Sequence, residues 1–207
     1  MTGPSGALHR AIRRSAADVP AAPERCDLCA ADLPERHRHV LDEQRGELLC
    51  TCRACTLLFE KDAAGRGHYR LVPEERVRLS ELPPQDLGVP VGLAFFVPQP
   101  DGTVVAHYPS PVGATQWEVE AEAWQAMRRS CPPLAKLSPG VQALLVNTAR
   151  GRHEHWIVPI DDCYRLVAVI RREWQGLSGG SHVWPAIDDF FAELDRQHTR
   201  EKGNGHG

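Results

Sequence analysis

The chain has 207 residues, 42% of them hydrophobic and 25% charged, and a net charge of −3 from 24 Lys+Arg against 27 Asp+Glu. This is ordinary globular usage for one sizeable domain, or a small domain plus a medium one, and it excludes a largely disordered chain. The charge leaves no electrostatic footprint for nucleic acid or an anionic membrane, and no run approaches the roughly 20 apolar residues of a membrane helix.

Residues 1–24 are rich in Ala, Pro and Arg, and only Leu8 to Ile12 offers an amphipathic turn. They read as a flexible arm. Arg13 and Arg14 precede no apolar stretch, so neither a secretion signal nor a twin-arginine signal is expected. The expectation is a cytoplasmic protein whose thiols are reduced or metal-bound.

Residues 25–72 hold five of the seven cysteines. Cys26-Asp-Leu-Cys29 and Cys52-Arg-Ala-Cys55 are two CxxC turns. Each places two thiolates near one point, and two such turns complete a tetrahedral set. Between them, Val40-Leu41 and Leu48-Leu49 flank Gln44-Arg45-Gly46 and predict a short hairpin. Leu57-Leu58-Phe59 and His68 to Val72 predict further strands, the last ended by Pro73. The segment therefore reads as a small zinc-ribbon-like β module.

Cys50 offers a third thiol beside the second turn. The spacing selects Cys52 and Cys55, and Cys50 reads as a small hydrophobe on the strand leading in, with an alternative role as a ligand or reactive thiol. His37 and His39 alternate, so both face one side of a strand or loop. They read as solvated loop residues, with outer hydrogen-bond donors or replacement ligands as the alternative. Four thiolates suit zinc or a rubredoxin-like single iron. Rubredoxin turns carry a glycine after the second cysteine, where this chain has Ala30 and Thr56, so zinc is preferred.

Residues 73–200 carry most of the apolar mass. An internal echo runs at an offset of 50: Leu93 to Val97 against Ala143 to Asn147, His107-Tyr108-Pro109 against Ile157-Val158-Pro159, Trp124 against Trp174. Each copy reads strand, turn, strand, helix, with Pro100-Asp101-Gly102 and Arg150-Gly151-Arg152 as the turns. This predicts an α+β domain: a four-stranded, mostly antiparallel sheet with helices on one face. The helices are expected over 118–130, from Asp161 or Asp162 as cap to about Trp174, and over 182–197 with Ser181 as cap. Residues 201–207 read as a disordered tail.

Other chemical groups read as structural. Cys163 begins the apolar stripe of the second helix and is expected to be buried and inert, and Cys131 precedes Pro132-Pro133 in a loop. His153-Glu154-His155 fits a hairpin rim better than a metal triplet. The glycine-rich stretch 175–181 lacks the lysine and preceding strand of a P-loop. With no Ser-His-Asp order, metalloprotease helix or dinucleotide fingerprint, no catalytic residue is nominated and a non-enzyme is the preferred reading.

The motifs CDLC, HRHVLD, ELLCTCRACTLLFE, GHYRLVP, LAFF, ALLVN, HWIVPIDDCYRLVAVIRREWQGLSGG and VW..I..FF..L occur in this order over residues 25–195. In them the chain resembles an uncharacterised bacterial protein family commonly encoded beside high-affinity, oxygen-tolerant [NiFe]-hydrogenases and their maturation factors. The resemblance implies a setting and no activity. It points to a metal-binding, non-catalytic accessory protein in which Cys26, Cys29, Cys52 and Cys55 hold zinc, and whose partner is a hydrogenase subunit or maturation factor. The alternatives are a one-iron electron-transfer or oxygen-protective protein, and a zinc-ribbon nucleic-acid binder. Arg36, Arg38, Arg45, Arg53, Arg66 and Arg70 favour the last locally, and the net charge of −3 opposes it.

Overall fold

A computed structural model describes residues 24–60, 67–79, 82, 92–175 and 182–204. The chain divides into two compact units between Pro73 and Glu74. The expected arm, Glu24 apart, and residues 176–181, with Ser181 as cap, lie outside the described residues. Among the described residues no helix is long and apolar enough to cross a membrane.

The first unit holds a three-stranded antiparallel sheet in the order β2-β1-β3: β1 Arg38–Asp42, β2 Glu47–Thr51 and β3 Tyr69–Leu71. The hairpin joining β1 to β2 turns where expected, with Gly46 at φ +61°. Such a positive φ costs glycine little because it has no Cβ. Asp42 closes the turn, its buried Oδ1 accepting the N–H groups of Gln44 and Arg45 at 3.0 and 3.1 Å. A single helical turn, α1 (Arg53–Thr56), follows β2. The strand expected over Leu57-Leu58-Phe59 does not form. Four successive N–H groups, from Thr56 to Phe59, are spent on the carbonyls of Cys52, Arg53, Cys55 and Thr56, so none remains for a ladder. Leu57 and Leu58 are left exposed.

The second unit is a six-stranded antiparallel sheet in the order β4-β9-β8-β5-β6-β7. Its strands are β4 Val77–Leu79, β5 Leu93–Pro98, β6 Val104–Ser110, β7 Gly113–Glu118, β8 Gln142–Asn147 and β9 Glu154–Pro159. The four expected strands form its middle, and two edge strands are added. β4 has only three residues, and β7 exposes its last four, so neither shows the buried alternation that marks a strand in sequence. The 50-residue echo corresponds to the β5–β6 and β8–β9 hairpins, which pair back to back through β5 and β8.

Helix α2 (Ala121–Ser130) begins three residues later than expected because Glu118 ends β7. α3 (Ile160–Glu173) starts straight out of β9: Pro159 takes the cap position, and Asp161 and Asp162 lie in the first turn, where the helix dipole favours negative charge. α4 (Val183–Asn204) extends beyond Gln197 into the segment expected as a tail. The expected α+β architecture is what forms, but the helices divide between the two faces of the sheet instead of covering the single face expected. Ala94, Phe96, Val104, Ala106, Leu144 and Ile157 point to one side and share a cluster with Trp124 and Met127 of α2. Phe95, His107, Leu145 and Trp156 are cross-strand partners on the other side, and the Trp156 ring meets His198 of α4 edge-on at 5.7 Å. Both faces need cover because β5 is buried at five successive positions, Leu93 to Val97.

Candidate metal centre

The first CxxC turn is built by backbone hydrogen bonds. Ala30 N–H donates to the Cys26 carbonyl and Cys26 N–H to the Ala31 carbonyl, both at 2.8 Å. To close this loop Ala30 adopts φ +60°, a left-handed conformation with an energetic cost for any residue bearing a Cβ. The second turn uses a different device. Cys52 caps α1, and its Sγ accepts the Cys55 N–H at 3.5 Å. Asp27, which sequence reasoning did not single out, clips the first turn to β2: its N–H donates to the Cys50 carbonyl at 2.9 Å, and its Oδ2 accepts the Cys50 N–H at 2.7 Å. Deeper in the unit, the buried Thr51 and Thr56 hydroxyls lie 3.2 Å apart, and they also donate to the Arg38 and Cys52 carbonyls.

The result gathers the four predicted thiols. The sulfurs of Cys26, Cys29, Cys52 and Cys55 all lie within 4.8 Å of one another, and those of Cys29 and Cys52 are 3.6 Å apart. Thiolates at the usual ~2.3 Å from a tetrahedrally coordinated ion are about 3.8 Å apart, so the spacing already suits a cation.

Thiol ionisation points the same way. Burial opposes the Cys26 thiolate, but N–H groups of Cys52, Leu28 and Cys29 and the Cys29 thiol outweigh it and bring the group down to about 6. Cys55 is pushed up to about 12, first by sharing a proton with Cys29 and then by burial. Cys29, although the Ala31 N–H favours its thiolate, is raised overall by its contacts with Cys26 and Cys52. Four adjacent thiolates repel one another, and a bound cation relieves that repulsion.

Cys50 does not join this group. It pairs with His39 across the β1–β2 ladder, and His37, His39 and Cys50 form a second cluster of potential ligands within 4.8 Å. The expected shared side of His37 and His39 is realised, with ring centroids 4.7 Å apart. The solvated setting expected for His37 is not: its side chain is only 6% exposed.

The other predicted structural groups stay apart from both clusters. Cys163 is fully buried, and desolvation holds its thiol well above the ordinary range. Cys131 is buried between α2 and the 3-10 turn Pro132–Lys136. Glu154 accepts from Asn147 Nδ2 at 2.8 Å, and His153 and His155 join no group of potential metal ligands among the described residues.

A module with four convergent thiols, followed by an antiparallel α+β domain, defines a two-unit protein equipped to bind a metal ion. Residues 25–198 match the model of the family of unknown function DUF5947, and the chain belongs to that family. No curated protein and no solved structure matches it.

Proposed function

We propose that the protein is a non-catalytic accessory protein whose first unit is stabilised by one zinc ion held by Cys26, Cys29, Cys52 and Cys55. The observation that carries this reading is the convergence of the four sulfurs within 4.8 Å on two short turns. Structural zinc sites are closed by four protein ligands, and such a set leaves no position for a substrate. The assignment to assembly of a [NiFe]-hydrogenase rests on the motif resemblance alone. In that role the protein acts on a hydrogenase subunit or maturation factor.

A single iron is the second reading. One specific observation favours it: Ala30 takes the left-handed conformation that glycine supplies in rubredoxin turns, so the missing glycine does not prevent that turn from forming. Thr56 lies in the helical turn α1, and there the departure stands.

Purification without added metal, followed by elemental analysis, separates the readings. One zinc per chain in a colourless protein supports the first, and red, iron-bearing protein supports the second. Protein free of metal whose melting curve ignores chelators would sink both. Affinity capture from cells expressing a [NiFe]-hydrogenase tests the client, and failure to recover any hydrogenase subunit or maturation factor would remove that assignment while leaving the metal site untouched.

A further inference from the structure

We infer that His37, His39 and Cys50 form a second metal site, distinct from the tetrathiolate, that takes an exchangeable divalent transition ion of the zinc class. The argument begins with register. His39 and Cys50 are direct partners across β1 and β2, so their side chains leave the sheet on the same face, and His37 stands two residues before His39 on that side. One ring nitrogen of each histidine and the Cys50 sulfur fall within 4.8 Å of one another.

The state of His37 adds an independent observation. Its Nδ1 lies 3.0 Å from the Pro34 carbonyl oxygen. A carbonyl only accepts, so Nδ1 carries a proton, and in the neutral ring Nε2 presents a lone pair. That Nε2 is buried and has no hydrogen-bond partner. The nearest acidic oxygen, Oε2 of Glu24, is 3.7 Å away. A buried lone pair without a donor is costly, whereas a metal ion would satisfy it. A histidine fixed by an Nδ1–H to carbonyl hydrogen bond, with Nε2 free, is the usual arrangement of a ligating imidazole.

The donor set indicates the class of ion. Two imidazoles and one thiolate are borderline-soft ligands, suited to zinc, cobalt or copper and poorly suited to magnesium or calcium. Three protein ligands leave a coordination position open, where the tetrathiolate leaves none. The first unit would therefore pair a closed site with an open one, and the open site can exchange its ion or accept an outside ligand. Asp27 links the two regions: it lies inside the first CxxC turn and hydrogen-bonds both the N–H and the carbonyl of Cys50.

The test is metal titration of the full-length protein with Zn2+, and with Co2+ as an optical probe, for wild type, His39→Gln and Cys50→Ala. Wild type should take up two equivalents, the first showing the intense thiolate-to-cobalt bands of four sulfurs. Either variant should keep the first equivalent and weaken the second by at least about 100-fold, more than the loss of an outer hydrogen bond costs. In wild type the second equivalent should also shift the ring-nitrogen resonances of His37 and His39, a readout that needs no variant to fold. Saturation at one equivalent with unmoved histidine resonances would overturn the inference, as would loss of the first equivalent in Cys50→Ala. A first equivalent without four-sulfur bands would instead count against the tetrathiolate reading, leaving the histidine resonances to decide the second site.

Discussion

Among the described residues of the cysteine module, the buried hydrophobic side chains are Cys26, Val40 and Val72 alone, alongside the buried polar Asp42, Thr51 and Thr56. The sheet domain buries Phe95, Phe96, Met127, Leu144, Leu145, Trp156, Leu166, Ile170, Phe191 and Leu194 almost completely. At about 25 cal/mol per Å2 of apolar surface, the second set contributes several times the hydrophobic stabilisation of the first. A small unit without a sufficient core needs a covalent or metal staple. On the proposed reading, a metal held by the cysteine cluster supplies the cohesion that the sheet domain obtains from packing.

Removing the ion should break this comparison most sharply. Structural zinc contributes roughly 10–16 kcal/mol in small finger peptides, far more than three buried hydrophobes can replace. A strong chelator, or Cys26→Ser, should abolish amide protection across β1, β2 and β3 and leave protection in β5, β8 and α3 unchanged. All five tryptophans, Trp117, Trp124, Trp156, Trp174 and Trp184, lie after Pro73, so tryptophan fluorescence reports the sheet domain alone and should not respond. Persistent protection of β1 in metal-free protein would show that the module stands without its staple.

Acid should separate the units in the other direction, through a buried group of the sheet domain. His107 stacks on Phe95 at 4.7 Å, and its Nδ1 is buried without a hydrogen-bond partner. Burial lowers its pKa from 6.5 to about 4. Because the folded pKa is the lower one, the unfolded chain takes up the proton first. The neutral ring's contribution is complete above pH ~6.5 and is lost as pH falls towards 4, to a total of about 3 kcal/mol. His107→Phe keeps the stacked ring and removes the titration. The fluorescence-detected melting temperature of wild type should fall more steeply between pH 7 and 4.5 than that of the variant. Equal slopes would mean that His107 is hydrated or protonated in the folded state.

Legibility in the sequence followed the same division. The CxxC spacing, the Gly46 turn and the long apolar runs of β5 and β8 were readable because each rests on one local cause: ligand spacing, a positive φ, or burial on both faces. The edge strands β4 and β7 were not, since an edge strand with a solvated face carries little apolar signal. Leu57-Leu58-Phe59 misled because its apolar run is not matched by burial, and the helical turn begun at Cys52 claims its N–H groups. Asp27 and the burial of His37 were hidden for a third reason. Their partners, Cys50 and Pro34, are fixed by the tertiary closure of the module, to which no periodicity points.

The smallest effect sharpens the account of the staple itself. Ala30 sits at φ +60° in the first cysteine turn, where a Cβ costs about 1–2 kcal/mol. Glycine removes that strain but loses more backbone entropy on folding, a cost of about 0.5–1 kcal/mol. Ala30→Gly should therefore stabilise the module by about 0.5–1 kcal/mol, seen as a higher melting temperature for β1–β3 amide exchange with the ion bound. The tryptophan transition should be unmoved. At Thr56 the same substitution should destabilise, because that residue is helical and its hydroxyl hydrogen-bonds the Cys52 carbonyl at 3.0 Å. Opposite signs at the two positions would establish that the turns reach one four-sulfur geometry by different backbone routes. If glycine at position 30 destabilised instead, the left-handed turn would not be the conformation that holds Cys26 and Cys29 together.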